Sequence, residues 1–169
     1  VKTGRPLPVD TQEPKRVASS VVLMKLKHCV LTSVDRDDLD DLGAHIWINT
    51  VQEIKKESPK TTIETLIPDF DGRQELIKKV CAAGQDVVSH NLETVRRITP
   101  WARSRAKYDI SLNTLKIIAG TGVITKSGIM VGLGETPEEV IETLKDMRNA
   151  DVQVVTIGQY LQPTKKHLM

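Results

Sequence analysis

The chain has 169 residues, a formal net charge of +2, 39% hydrophobic and 27% charged residues. That length suits one domain with an ordinary core, and the near-neutral charge gives no general case for nucleic acid or an anionic membrane surface as a partner. No apolar run approaches the length that spans a bilayer, so no membrane role is expected. No signal peptide is visible and the chain reads as cytoplasmic, although a start at Val1 and not at Met leaves room for an upstream portion with targeting information of its own. Cys29 lies in the apolar run Cys29-Val30-Leu31, and Cys81 follows Ile77 and Val80 at helical spacing. Both cysteines therefore read as small core residues and not as ligands or a disulfide.

In chain order, two prolines and a glycine make 3–8 a loop. From Glu13 and Pro14 a helix pattern runs through Val17, Val21 and Met24, followed by a strand over 28–34 and the polar cluster Asp35-Arg36-Asp37-Asp38. Ile46, Val51 and Ile54 predict a helix ending near Ser58-Pro59, and the β-branched run 62–67 predicts a strand closed by Pro68-Asp69. A helix over 71–83 turns Leu76, Ile77 and Val80 inward and stops at Gly84, and a strand follows over 86–89. His90-Asn91-Leu92-Glu93 then opens a short helix, 100–108 is an irregular basic loop, and 111–119 is helical through Leu112, Leu115 and Ile118, ended by Gly120 and Gly122.

The stretch 125–139 is the most informative. Ile129, Met130 and Val131 form a short apolar run bounded by glycines, which reads as a strand buried on both faces. Gly132 and Gly134 turn the chain, Thr136 caps a helix, Pro137 suits its first position, and Glu139 closes a capping box. Val140, Ile141, Leu144 and Met147 fall on one face of that helix, which runs to Asn149, and a fifth strand covers 152–157. A glycine loop feeding a helix leaves N–H groups open where a cofactor can rest; the same spacing also occurs as plain tight-turn chemistry.

Strands separated by helices specify parallel pairing with right-handed crossovers, so the fold is α/β, either a (β/α) barrel or an open doubly wound sheet. The order begins on a helix and stops just beyond a strand, and no linker divides 1–169, so the chain reads as a single internal piece of a longer barrel. An exposed barrel edge predicts marginal stability or association.

In such folds function collects where the strands end. Those positions are Thr32, Ser33, Asp35 and Arg36; Asp69; Ser89, His90, Asn91 and Glu93; Gly132 to Glu135; and Gly158, Gln159, Tyr160 and Gln162. No G-x-S-x-G or H-E-x-x-H is present, so a hydrolytic set is not expected. His90 reads as a general acid or base paired with Asp69, or as a structural hydrogen-bonder. Asn91 and Glu93 can both reach a ribose diol, or else are a helix cap and a first-turn acid. Arg103, Arg105 and Lys107 read as a solvated loop in which Arg103 can grip a carboxylate, and Lys165, Lys166 and His167 as a wet tail.

Lys126 to Thr136, Thr156 to Thr164 and Leu31 to Leu39 together resemble the signatures of lipoyl synthases. His90 to Val95 and Thr3 to Pro6 fit the same alignment, so the resemblance covers nearly the whole chain. That family belongs to the radical S-adenosylmethionine enzymes. The resemblance implies a partial (β/α)6 radical-SAM-type barrel, here lacking its first strand and both terminal extensions. It also implies S-adenosylmethionine and two [4Fe–4S] clusters, one generating a 5′-deoxyadenosyl radical and one sacrificed as a sulfur source. Two sulfurs enter C–H bonds of an octanoyl chain held on a lipoyl carrier domain or glycine cleavage H protein, with an electron donor such as ferredoxin or flavodoxin. By the same resemblance Asn91 and Glu93 bind the ribose. Gly128 to Gly132 with Glu135 match the G-x-I-x-G-x-x-E adenine strand, with Met130 at its Ile position. Thr32, Ser33, Arg103 and Lys126 are second contacts to cofactor or substrate, and Gln159 joins the cofactor-binding set.

The sequence departs from the family's pattern in two respects. The C-x3-C-x2-C loop that would precede Val1, a further cysteine triplet and an Arg-Ser-Ser-Tyr motif are not in this sequence, and Cys29 and Cys81 match neither cysteine motif. The chain as written is therefore expected to hold no cluster and to do no radical chemistry. Two alternatives follow: a non-catalytic fragment that binds an adenosyl ligand or a partner weakly, or a different barrel enzyme holding a phosphate or adenosyl ligand at the Gly132 loop. Asp41-Leu42-Gly43 also sets a leucine where the family has Asp-Gly-Gly, at odds with any positive φ there.

Overall fold

Five short runs pair as parallel strands in the computed structural model, which describes residues 6–103 and 105–164. They are β1 (His28–Thr32), β2 (Thr62–Leu66), β3 (Val87–Ser89), β4 (Ile124–Val131) and β5 (Val154–Gln159), hydrogen-bonded in the order β1-β2-β3-β4-β5. The helices are α1 (Glu13–Leu23), α2 (Ala44–Glu57), α3 (Gln74–Cys81), α4 (Thr99–Ala102), α5 (Tyr108–Ala119) and α6 (Pro137–Asn149). Strand order follows chain order without the reversal of a doubly wound sheet, so every crossover lays its helix on the same side and the sheet curls into a partial barrel. The expected tail Lys165 to His167, and Thr3 and Gly4 of the N-terminal loop, lie outside the described residues. No helix among the described residues is long and apolar enough to cross a membrane.

Alternation along the strands divides the molecule. Cys29, Ile63, Val88 and Ile129 point to the helices and are buried. Cys29 and Ile63 pack with Ala18, Val21, Val51 and Ile54; Val88 packs with Trp47, Phe70, Ile77, Val80 and Cys81; Ile129 packs with Leu92, Leu115 and Met147. The two cysteines are thus free core thiols in separate clusters, and burial pushes Cys81 up to about 11. The opposite, concave face is open, and Val30 on it is 52% exposed. This corrects the reading of β4 as buried on both faces. Thr125, Ser127 and Ile129 meet helices, whereas Lys126 and Met130 alternate onto the concave side. Among the described residues β5 pairs only with β4, and all of its residues are exposed.

Four further expectations need correction. The helix predicted over 71–83 begins at Gln74, because Phe70 and Asp71 adopt left-handed angles in a 3-10 turn that buries the Phe70 ring. Residues 90–93 do not open a helix; they continue beside β4, and the helix after β3 starts at Thr99 with Pro100 in its first turn. The basic stretch 100–108 accordingly contains the end of α4 and the start of α5. On α6 the buried residues are Thr143 and Met147, while Ile141 is 52% exposed, one helical step off the inward face.

Leu42 does take a positive φ, 53°, followed by Gly43 at 82°. Left-handed backbone costs a leucine about 1–2 kcal/mol. Its side chain is nevertheless buried against Trp47 and Phe70, and burial of a leucine, with the void its loss leaves, contributes about 2–5 kcal/mol. Burial wins. Leu42→Gly is therefore expected to lower stability by about 1–3 kcal/mol despite relieving the backbone, read as a lower Tm. An unchanged or raised Tm would show that strain dominates.

Candidate functional site

The carboxyl ends of β1, β2 and β3 open into a cavity of about 500 Å³. Thr32 and Ser33 come from β1, Pro68 and Asp69 from β2, Asn91 and Glu93 from β3, and Arg103 and Arg105 from the loop after α4. Burial pushes the Asp35 carboxyl up, reinforced by Asp37 and Asp69 and opposed by Arg103 and Arg105. Arg105 bridges to Asp37 at 2.6 Å, tying two loops together at the rim. Arg36, on the same rim, is occupied by a forked pair of 2.8 Å bonds to Asp38.

Asn91 and Glu93 are set by backbone. After β3 the chain stays against β4: the Glu93 N–H donates to the Gly128 carbonyl at 3.0 Å, and the Met130 N–H donates to the Glu93 carbonyl at 2.8 Å. Glu93 reaches this bridge with a φ of 67°, and the Asn91 amide donates to its carboxylate at 3.2 Å. Gly128 makes the approach possible. A Cβ there would lie 2.7 Å from Thr156 Oγ1 and 3.0 Å from Asn91 Oδ1, closer than real side chains come.

Gly132, Glu135 and Gln159 gather one step further along, at the ends of β4 and β5. Gly132 has a φ of 103°, and a Cβ on it would strike the Gln159 amide. Gln159 Nε2 donates to the carbonyls of Val131, at 3.1 Å, and Tyr160, at 3.2 Å. The expected open N–H groups of this loop are filled from within. Glu135 folds back so that the Gly132 and Leu133 N–H groups donate to its carboxylate. Burial acts against the Glu135 carboxylate, but these backbone donors outweigh it and hold its pKa below the usual range. The capping box is present, with Thr136 and Glu139 satisfying each other's backbone N–H groups. Arg97 clamps the arrangement, donating to both Glu139 oxygens at 2.6 and 2.9 Å and to the Gly134 carbonyl at 2.8 Å.

Lys126 lies deeper on the concave face. Its ammonium donates to both oxygens of Glu64 at 2.9 and 3.0 Å, and Ser89 donates to the same carboxylate at 3.0 Å. Glu64 is absent from the residues singled out in the sequence, though it fixes the position of Lys126; its signal is a carboxylate in the middle of an otherwise β-branched strand. His90 does not pair with Asp69. It is 2% exposed, bonded through Nδ1 to the Ile67 carbonyl and through Nε2 to Ser111 Oγ, each at 2.9 Å. The structural reading of His90 therefore stands, and the acid–base one does not.

The structure thus brings Thr32, Ser33, Asn91, Glu93 and Arg103 to one cavity, places Gly128 and Met130 along its edge, and sets Lys126 below it and Gly132, Glu135 and Gln159 beside it. The Radical SAM superfamily matches residues 1–147 of this chain. The chain belongs to the radical SAM superfamily. Within that superfamily it is 58% identical to a lipoyl synthase of Parabacteroides distasonis over 98% of its length, and 59% identical to one of Flavobacterium psychrophilum over 99%. It spans 59% and 58% of those curated relatives' lengths. The lipoyl synthase resemblance read from the motifs is borne out by these relatives. Methylornithine synthase (PylB) shares the fold, with a TM-score of 0.74 at 19% identity over 92% of this chain and 45% of that one. The [FeFe]-hydrogenase maturase HydG shares it too, with a TM-score of 0.76 at 14% identity over 97% and 39%.

Two cofactor groups follow from membership in the radical SAM superfamily, and the residues fit them differently. For S-adenosylmethionine, the Asn91 amide and the Glu93 carboxylate line the open cavity and offer it hydrogen-bonding groups, held there because Gly128 carries no side chain in the space Asn91 and Thr156 fill. Cys29 and Cys81, by contrast, are buried apart on the helix side of the sheet, so they do not fit an iron–sulfur cluster, which needs several converging thiolates.

Two outcomes are expected. Glu139 sits at about 2 against an ordinary 4.5, chiefly through its bond to Arg97 and then the Thr136 N–H. Its folded-state pKa is lowered, so its contribution to loop order is complete above 4.5 and is lost as pH falls toward 2. In Arg97→Leu the Glu139 carboxyl ¹³C titration is expected to move back toward 4.5; an unmoved midpoint would assign the depression to the backbone donor. For the inner pair, side-chain exposures of 25% for Lys126 and 9% for Glu64 make a stranded carboxylate costly. Lys126→Met is expected to lose about 2–3 kcal/mol, and adding Glu64→Met to recover part of it, read by denaturant unfolding. A double variant no more stable than the single would show that the stranded Glu64 carboxylate carries no cost.

Proposed function

We propose that this chain is the adenosyl-binding half-barrel of a lipoyl synthase, the enzyme that inserts two sulfur atoms into a protein-bound octanoyl chain. The observation that carries the reading is the Asn91–Glu93 segment held against Gly128–Met130 at the mouth of the sheet. A carboxylate and an amide fixed there suit the two hydroxyls of a ribose, and the bare strand beside them suits the adenine edge. Gly132, Glu135 and Gln159 keep that strand's end in place, while Thr32, Ser33, Arg103 and Lys126 face the remainder of the ligand or the substrate. When bound, S-adenosylmethionine supplies the radical chemistry; these residues bind it, orient it and shield it from water.

The substrate in this reading is an octanoyl group on a lipoyl carrier domain or glycine cleavage H protein, with ferredoxin or flavodoxin as electron donor, in the cytoplasm. The family's two [4Fe–4S] clusters are assigned no ligands among these residues. The separate burial of Cys29 and Cys81 favours a division of labour in which the chain alone binds the adenosyl group without completing the reaction.

Calorimetric titration with S-adenosylhomocysteine tests this. Binding is expected, weakened about tenfold or more by Asn91→Ala, because a ribose hydrogen bond is lost beside a charged group, and more strongly by Gly128→Ala, whose added methyl would strike Thr156 and Asn91 and push the whole Asn91–Glu93 segment out of place. Inorganic phosphate is expected to leave the Gly132 loop unprotected, since Glu135 already occupies its donors. Protection by phosphate with no response to the adenosyl ligand would replace this reading with a phosphate-binding barrel enzyme.

A further inference from the structure

The buried imidazole behind the cavity belongs to a hydrogen-bond chain with one direction. The Ile67 carbonyl can only accept, so His90 Nδ1 carries the proton that meets it at 2.9 Å. Burial pushes the ring's pKa down and the charge of Arg103 adds to this, while the Ile67 carbonyl and Asp69 oppose without prevailing. The ring is therefore neutral and Nε2 is an acceptor. The Ser111 hydroxyl, 2.9 Å away, must point its hydrogen at Nε2. Its lone pairs are then turned to Arg103, whose Nη1 donates to Ser111 Oγ at 3.3 Å and to the Asn91 carbonyl at 3.1 Å. Both hydrogens of Nη1 are thereby committed, which leaves Nε and Nη2 of a guanidinium that lines the cavity.

We infer that His90 and Ser111 are positioning residues: from beneath the cavity they lock the Arg103 guanidinium onto the Asn91 backbone and leave its outer edge for an anionic group of the bound ligand. The components come from the end of β2, the end of β3, helix α5 and the loop after α4, so four elements are registered on one charged group. An imidazolium would present a donor at Nε2, turn the serine hydroxyl around and set its hydrogen against Arg103. The chain works only with a neutral ring. The inference rests on the adenosyl-binding reading for its ligand but not for its geometry.

The test uses the purified protein in two arms. Long-range ¹H–¹⁵N NMR of His90 is expected to show Nδ1 protonated, Nε2 bare, and no imidazolium at pH 6; the opposite tautomer, or a midpoint at the ordinary 6.5, overturns the chain. Arg103 rotation about Nε–Cζ is expected to be slow, and fast in Ser111→Ala and in His90→Asn, which keeps a donor for Ile67 and removes Nε2. Equal rates overturn the positioning role. In the second arm S-adenosylhomocysteine affinity is expected to fall about fivefold in each single variant. Neither is expected to add to the loss from Arg103→Ala, because all act through the same guanidinium. Losses that add would mark a merely structural role and sink the inference. Failure of the unaltered protein to bind the probe would count against the functional reading alone, since the first arm still decides the geometry. If Ser111→Ala does not fold, Ser111→Cys, which keeps the volume with a weaker donor, is read in both arms.

Discussion

One missing side chain holds the site together. After β3 the polypeptide could have left the sheet at once for its crossover helix; it stays for four more residues because Gly128 lets Asn91 lie across β4, and Glu93 can then exchange hydrogen bonds with Gly128 and Met130. Several of the polar groups at the mouth take their position from that contact. The Asn91 carbonyl becomes the anchor for Arg103, the Asn91 amide meets the Glu93 carboxylate, and His90 is drawn under the sheet to meet Ser111. A methyl at 128 displaces all of these at once, whereas a change at any single polar residue leaves the remaining bonds in place.

Stability and recognition are divided between the two faces of the sheet. The helix side carries the apolar clusters, and two cysteines serve there as small hydrophobes. The concave side carries the Lys126–Glu64–Ser89 group and an exposed Val30, an arrangement that contributes little net stability because an ion pair so placed must offset its own desolvation. The polar groups of the concave face are therefore held chiefly by one another and not by the apolar clusters. The same division separates the charged loops: Glu135 and Glu139 are consumed in shaping the turn after β4, while Asp35, raised by burial, faces the cavity.

Much of this was legible in the sequence. Alternating strand and helix periods fixed every crossover, the Thr136–Glu139 capping box was read residue for residue, and the motif positions did converge at the strand ends. The departures arise where contacts, near or distant, override a local pattern. Asn-x-Glu after an apolar run is as good a helix start as it is a strand extension, and only Gly128, nearly forty residues on, selects between them. The open N–H groups expected at the glycine loop were claimed by Glu135, two to three residues away, a reach that spacing alone does not reveal. Leu42 keeps a left-handed backbone because its side chain is buried, which no propensity scale registers.

Binding and reaction make different demands on this chain. Asn91, Glu93 and Arg103 are each fixed by bonds to neighbours within the described residues, so their geometry needs no ligand to assemble. A pocket built this way binds without a large ordering cost, the property that separates a preorganised site from one that closes on its ligand. Thiolate chemistry has no comparable preparation. Cys29 and Cys81 sit in two cores on the far side of the sheet, and bringing them together would dismantle both. The hydrogen-bonded frame at the mouth thus stands without either thiol, and any cluster ligands must come from residues other than these two.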